Sequence, residues 1–392
     1  MGQENLISRK KSIFWLSSAH FMNDVYTGFI NPIMPFIAAK IGITMAMATM
    51  VLSVSNIFSS LLQPIFGFFA DNTFKRLFIF WGLILSSVFI PLIPLSKNVL
   101  MLIMFIILGS LGSSFFHPQS TGFINKFAGN GDFGARQMGI FISMGSIGYA
   151  LGPLVAMFIT QYYDMTNLPY MSFLGVILAS LMFVFVPKLS VIYPEPEHRK
   201  FKESFINILS NKVMQNLMVI SMIKSLITTS CCTLLPFLWK NEMHYSAIYI
   251  GIALSLFVFA GGIGSLTSRS IEKRWGTKNL LYFSITSTLP TIILFHMTYL
   301  NHPVISLITF IIIGYTTMLA QPVTIVLGQK ILPEYKSIVA GFINGFAWGV
   351  VAIALSVIGL CAQNFGITNV LIMIAILPLL SVILIKQLPE NI

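Results

Sequence analysis

KLSVIYPEPEHRKFKESFINILSNK, residues 188–212, is the longest polar stretch of the chain. Its centre, Pro194-Glu195-Pro196-Glu197-His198-Arg199-Lys200, combines helix-breaking prolines with charges that lipid cannot solvate, so it reads as a linker. Outward from it the sequence is a series of apolar runs, six before and six after. They cover about 13–39, 46–70, 77–95, 99–122, 137–161 and 168–187, then 213–239, 247–268, 279–297, 303–328, 337–361 and 367–386. A helix needs about 20 apolar residues to cross a bilayer. The composition agrees: 56% of the 392 residues are hydrophobic and 9% are charged, where soluble domains carry about 25%. A water-soluble protein built from this chain would have an oily exterior. The expected fold is an all-α integral membrane protein with 12 transmembrane helices. Residues 1–187 form one six-helix bundle, 188–212 a cytoplasmic linker and 213–392 the second bundle.

The net charge of +11 follows topology rather than a nucleic-acid surface. With the amino terminus inside, 19 of the 23 lysines and arginines fall on the cytoplasmic side. Lys40, Lys97 and Lys240 fall outside, and Lys224 lies within a run. That bias predicts a multi-pass protein with both termini cytoplasmic. The first segment, Met1–Lys11, lacks the pattern of a cleavable signal. Cys231, Cys232 and Cys361 all sit in apolar runs, with neither disulfide nor metal-ligand spacing.

The two halves repeat weakly. Met34-Pro35-Phe36 returns as Leu235-Pro236-Phe237 at an offset of 201, and His117-Pro118 as Gln321-Pro322 at 204. With the six-plus-six split, this predicts pseudo-symmetric bundles and a substrate site at their interface near the bilayer midplane.

Ionisable residues within membrane runs are costly, about 2.5–3.5 kcal/mol each on insertion scales. Of the 12 acids only Asp24 lies inside a run, and Lys224 is the matching base. His20, Asp24, Thr27 and Asn31 recur at helical spacing, with Asn23 beside them, forming one polar face. That face reads either as a hydrogen-bond network between helices or as a cavity lining in which Asp24 exchanges a proton, with His20 as its partner. The offset of 201 sets Lys224 opposite Asn23 in the repeat, so Lys224 is a candidate for an anionic substrate or for pairing with Asp24. His117, before the helix-kinking Pro118, is a further titratable candidate. No phosphate loop, metal set or nucleophile triad is present in the sequence pattern, so neither an enzyme, an ATP-driven pump, a cofactor nor a metal is expected.

The loop Gly67-Phe-Phe-Ala-Asp71-Asn-Thr-Phe-Lys75-Arg76 resembles the signature loop of the major facilitator superfamily, departing from it at Asn72 and Phe74. Its second copy, Lys273-Arg274-Trp275-Gly276-Thr277-Lys278, has Lys273 where an acid is usual. Gly148-Tyr-Ala-Leu-Gly152-Pro153, preceded by Gly145, resembles the helix 5 motif associated with antiporters. His20-Phe-Met-Asn23-Asp24, Ser59-Ser-Leu-Leu-Gln63-Pro64, Gly112-Ser-Ser-Phe-Phe-His117-Pro118 and Leu332-Pro333 resemble the fosmidomycin resistance family of efflux transporters.

The resemblance implies a major facilitator-type fold in a bacterial inner membrane. Helices 1, 4, 7 and 10 then line a central cavity, and Gly67, Asp71, Lys75 and Arg76 act at a gate. The expected function is a monomeric, proton-coupled efflux antiporter for a small polar or anionic compound. Asp24 and His20 would couple protons, and Asn23, Thr27, Asn31, His117, Lys224 and Gln321 would line the substrate cavity. Its partners are the small molecule, protons and the lipid bilayer, with no nucleic acid. The alternatives are a symporter taking up a nutrient or metal chelate, and a receptor or scaffold that transports nothing. One electrostatic point favours symport: protonating an Asp24 paired with Lys224 would free the lysine for an anion, so proton and anion would bind together.

Overall fold

The computed structural model describes residues 3–63, 66, 76–128, 131–187, 201–333, 339 and 341–389. Among them it is helical throughout, without strands. The first six apolar runs give α1 (Gln3–Thr27), α2 (Ile30–Ile41), α3 (Met45–Asn56), α4 (Arg76–Leu92), α5 (Val99–Ala128), α6 (Gly131–Tyr162) and α7 (Ser172–Phe185). A short α8 (Phe201–Ser210) follows. The last six give α9 (Lys212–Phe237), α10 (Ala247–Trp275), α11 (Thr277–Thr286), α12 (Thr288–Thr298), α13 (Pro303–Ile331), α14 (Ala347–Phe365), α15 (Ile367–Ile376) and α16 (Pro378–Lys386).

Ten helical segments among the described residues are long and apolar enough to span a membrane, and Met45–Leu61 is a shorter apolar one. Run 1 departs from the uninterrupted helix expected. It breaks between α1 and α2, where Gly28 and Phe29 form a turn and Pro32 has no N–H to offer the carbonyl of Gly28. Asn31 therefore lies in α2, just past the break, rather than in α1. Prolines account for two further breaks in the same way: Pro290 just after the α11–α12 junction, and Pro378 between α15 and α16.

Contacts divide the chain into two compact units. Unit 1 comprises Met1–Ile43, Val54–Glu195 and Ser246–Ser255; unit 2 comprises Thr44–Ser53, Pro196–Tyr245 and Leu256–Ile392. In unit 1, α4 packs on α5 and α1 on α6. Its core includes Leu16, Ala19, Leu83, Phe116, Phe123 and Phe141. The core of unit 2 includes Leu217, Ile220, Leu281, Leu319, Val323 and Ile343.

The repeat is written in hydrogen bonds inside each unit. In unit 1, Gln161 Oε1 accepts the backbone N–H of Ala247 at 3.0 Å, at the start of α10. In unit 2, Gln363 Oε1 accepts that of Ala46 at 2.9 Å, at the start of α3. The glutamines are 202 residues apart and the capped residues 201. Each side chain satisfies an N–H that a helix start leaves without an intrahelical partner.

Candidate functional site

Within unit 1, α1 presents His20 and Asp24 one turn apart, and α5 brings His117 to the same carboxylate. His20 Nε2 lies 3.3 Å from Asp24 Oδ2, and His117 Nε2 lies 3.4 Å from Asp24 Oδ1. The imidazoles meet edge to face with centroids 5.1 Å apart. Side-chain exposure is 9% for His20, 14% for Asp24 and 26% for His117, so the group is open on the His117 side.

Each member is held from behind. His20 Nδ1 donates to the carbonyl of Phe141 at 2.8 Å, and the Phe141 ring stacks on the imidazole at 4.2 Å between centroids. Asn23 Nδ2 donates to Asp24 Oδ1 at 2.9 Å, while its Oδ1 accepts from Ser86 Oγ at 2.8 Å. Asn23 is wholly buried, so it orients the carboxylate from within the packing. Thr27 Oγ1 turns back to the carbonyl of Asp24 at 3.0 Å.

The glycines of α6 make room for this arrangement. A Cβ on Gly145 would strike the His20 ring and come within 2.8 Å of Asp24 Oδ2. One on Gly148 would strike the Phe21 carbonyl. One on Gly152 would lie 2.5 Å from the Val25 carbonyl and 2.7 Å from Gly28 Cα. Gly148, Gly152 and the adjoining Pro153 thus lay α6 against α1, and Gly145 opens the space that the His20–Asp24 pair fills.

The proton count follows from these contacts. The Phe141 carbonyl can only accept, so His20 Nδ1 carries hydrogen. Nε2 then faces a carboxylate oxygen. Two lone pairs there repel, and one proton on either atom turns repulsion into a charge-assisted or neutral hydrogen bond. The geometry of the pair allows it to share a proton. Two imidazoles and a carboxylate are also the donor set of transition-metal sites, and the three ligand atoms lie within 4.8 Å of one another. His117 stands 93 residues from Asp24, which is why no ligand spacing was visible in the sequence.

The remaining candidates are elsewhere. Lys224 and Gln321 belong to unit 2. Lys224 is 3% exposed, in a tight space lined by Ile223, Ile227, Ser284, Ile285, Thr288, Thr317 and Pro378 of that unit. Its Nζ and Gln321 Oε1 have no hydrogen-bond partner among the described residues. Gly67, Asp71 and Lys75 lie outside the described residues. Arg76 serves its own unit: Nη1 donates to the carbonyls of Phe183 and Val186, each at 2.8 Å, and the guanidinium lies 4.2 Å from the Phe183 ring centroid. These contacts satisfy carbonyls at the carboxyl end of α7.

Helices this long and apolar, packed around buried ionisable groups, are those of a multi-pass membrane protein, and a family model of the Major Facilitator Superfamily matches residues 16–356. The chain belongs to that superfamily; it is a multi-pass membrane transporter and not an enzyme. It is 28% identical to the "Fosmidomycin resistance protein" of Escherichia coli K12 over 388 residues, covering 96% of this chain and 92% of that one. It is 22% identical to a "Multidrug resistance protein" of Serratia proteamaculans over 71% of this chain and 70% of that one. Among solved structures, a nucleoside transporter matches with a TM-score of 0.78 and 14% identity, covering 96% of this chain and 99% of that one.

Proposed function

We propose that this chain is a proton-coupled exporter of a small polar or anionic compound, working as an antiporter by alternating access from the bacterial inner membrane. The observation that carries the reading is Asp24 held between two imidazoles, one of which needs a proton between itself and the carboxylate. A charged group in a membrane span is a costly feature that function most directly explains. Loss of the shared proton changes the charge of the group by one, and a substrate that competes with the proton for this group is exchanged for it, which is antiport. Export is supported by the relatives, whose names are those of resistance proteins. The distribution of lysines and arginines supports cytoplasmic termini.

The second part of the reading concerns the gate. The motif resemblance assigns it to Gly67, Asp71, Lys75 and Arg76, and Asp71→Ala should slow turnover while leaving substrate affinity largely intact, because a gate biases conformations more than it touches ligand.

Reconstitution in liposomes tests the whole reading, with fosmidomycin as the first probe and a small panel of other anions beside it. An imposed pH gradient should drive substrate against the direction of proton flow. Substrate moving with the protons would establish symport instead. A folded protein that moves neither would remove transport of these probes.

A further inference from the structure

We propose that His20, Asp24 and His117 also form a binding site for a divalent first-row transition metal of the Zn2+ class, which takes the place of the shared proton. Among the described residues this is the one grouping of three histidine, cysteine or acidic side chains whose ligand atoms converge. Two ligand atoms bound at roughly 2.0–2.1 Å to a tetrahedral zinc stand about 3.4 Å apart. His20 Nε2 and Asp24 Oδ2 are 3.3 Å apart, and His117 Nε2 and Asp24 Oδ1 are 3.4 Å apart. Each imidazole nitrogen thus stands at the distance of a polyhedron edge from one carboxylate oxygen, and the three ligand atoms all lie within 4.8 Å of one another, so small side-chain adjustments around an ion close the site.

The surroundings match what a metal needs behind its ligands. A ligating imidazole generally gives its other N–H to a backbone carbonyl or carboxylate, which fixes the tautomer and turns the free nitrogen toward the ion. His20 does this through Nδ1 and the Phe141 carbonyl. The ligating carboxylate is in turn hydrogen-bonded, by Asn23, which Ser86 holds. Gly145 keeps a side chain out of the space beside both His20 and Asp24. A fourth position remains open on the His117 side, where exposure reaches 26%. Two neutral imidazoles and one carboxylate select an imidazole-loving ion over Ca2+ or Mg2+, which prefer oxygen.

The test is binding and does not involve flux. Tag-free full-length protein in detergent is titrated with Co2+, read by the visible absorption of four-coordinate cobalt, and then with Zn2+ in competition. One ion per chain with a four-coordinate spectrum is expected. His20→Asn, Asp24→Asn and His117→Asn should abolish that spectrum, with monodispersity on gel filtration as the folding check. Asn23→Ala, which leaves the ligands in place but removes the hydrogen bond to the Asp24 carboxylate, should weaken Co2+ binding about tenfold or more. His296→Asn, outside the group, should leave it unchanged. Absence of a four-coordinate spectrum in the wild type, or its persistence in folded His117→Asn, overturns the proposal. Proton coupling is read separately from flux, so either idea can fail alone.

Discussion

The two units carry the same hydrogen-bond frame loaded with different chemistry. In unit 1, His20 donates to the Phe141 carbonyl at 2.8 Å; in unit 2, Ser221 donates to the Ile343 carbonyl at 2.7 Å. The donors are 201 residues apart and the acceptors 202. The same offset takes Asp24 to Ser225 and Asn23 to Lys224. Where unit 1 has an acid and imidazole, unit 2 has two serines and a lysine. Asn23 is satisfied at both ends, whereas Lys224 Nζ and Ser225 Oγ have no partner among the described residues. A duplicated helix pair thus keeps its packing bond while one copy acquires a proton-sharing group and the other a buried base. The small neighbour follows: Gly145 yields to the His20 ring, and Ala347, 202 residues later, carries a Cβ in a wholly buried position of unit 2.

The largest difference should appear between Asp24 and Ser225. Asp24→Asn keeps size and hydrogen bonding but removes the exchangeable charge, and should abolish gradient-driven flux in vesicles, per folded molecule. Ser225→Ala should leave that flux near wild type. Equal losses would erase the division of labour between the units.

The next effect tests the glycine. Gly145→Ala should destabilise the protein by about 1–3 kcal/mol through overpacking against His20. In a His20→Ser background, which copies unit 2, most of that loss should vanish. A double-mutant cycle from thermal unfolding in detergent measures the coupling. Additive losses would mean that the imidazole is not what Gly145 accommodates.

The Asn23 and Lys224 pair should respond with opposite signs. Asn23→Leu removes the two buried hydrogen bonds through which Asn23 joins Ser86 to Asp24 and should lower stability by about 1–3 kcal/mol. Lys224→Met fills the same volume without a buried amine and should leave the unfolding midpoint unchanged or raise it. A fall on Lys224→Met would reveal a partner for Nζ. The smallest loss of stability is expected for Ser86→Ala, about 1 kcal/mol, read in the same unfolding assay.

Much of the fold was legible because lipid forces long apolar runs, and those runs survive as helices on both sides of the polar stretch 188–212. The break after Thr27 was harder to see. Pro32 signals a disturbed helix, but the interruption falls at Gly28 and Phe29, where the carbonyl that proline cannot serve lies, and it separates Asn31 from α1. At the site, His20 and Asp24 were visible as a one-turn pair, and His117 as a histidine before proline. That all three meet depends on how α5 packs beside α1, which a local pattern does not contain. Ser86 has no distinguishing neighbours in sequence, and the Phe141 contact is a backbone carbonyl, which every residue offers. Gly145 was legible only as the glycine preceding the helix 5 motif, and its contact with the His20 ring required the register between α6 and α1.

The most direct test of the account is simultaneous measurement of internal pH and substrate in liposomes, comparing wild type with folded Asp24→Asn. Substrate added to wild-type vesicles should move protons in the opposite direction at a fixed ratio, and Asp24→Asn should exchange substrate without moving protons. An unchanged proton-to-substrate ratio in folded Asp24→Asn would contradict the assignment of coupling to Asp24.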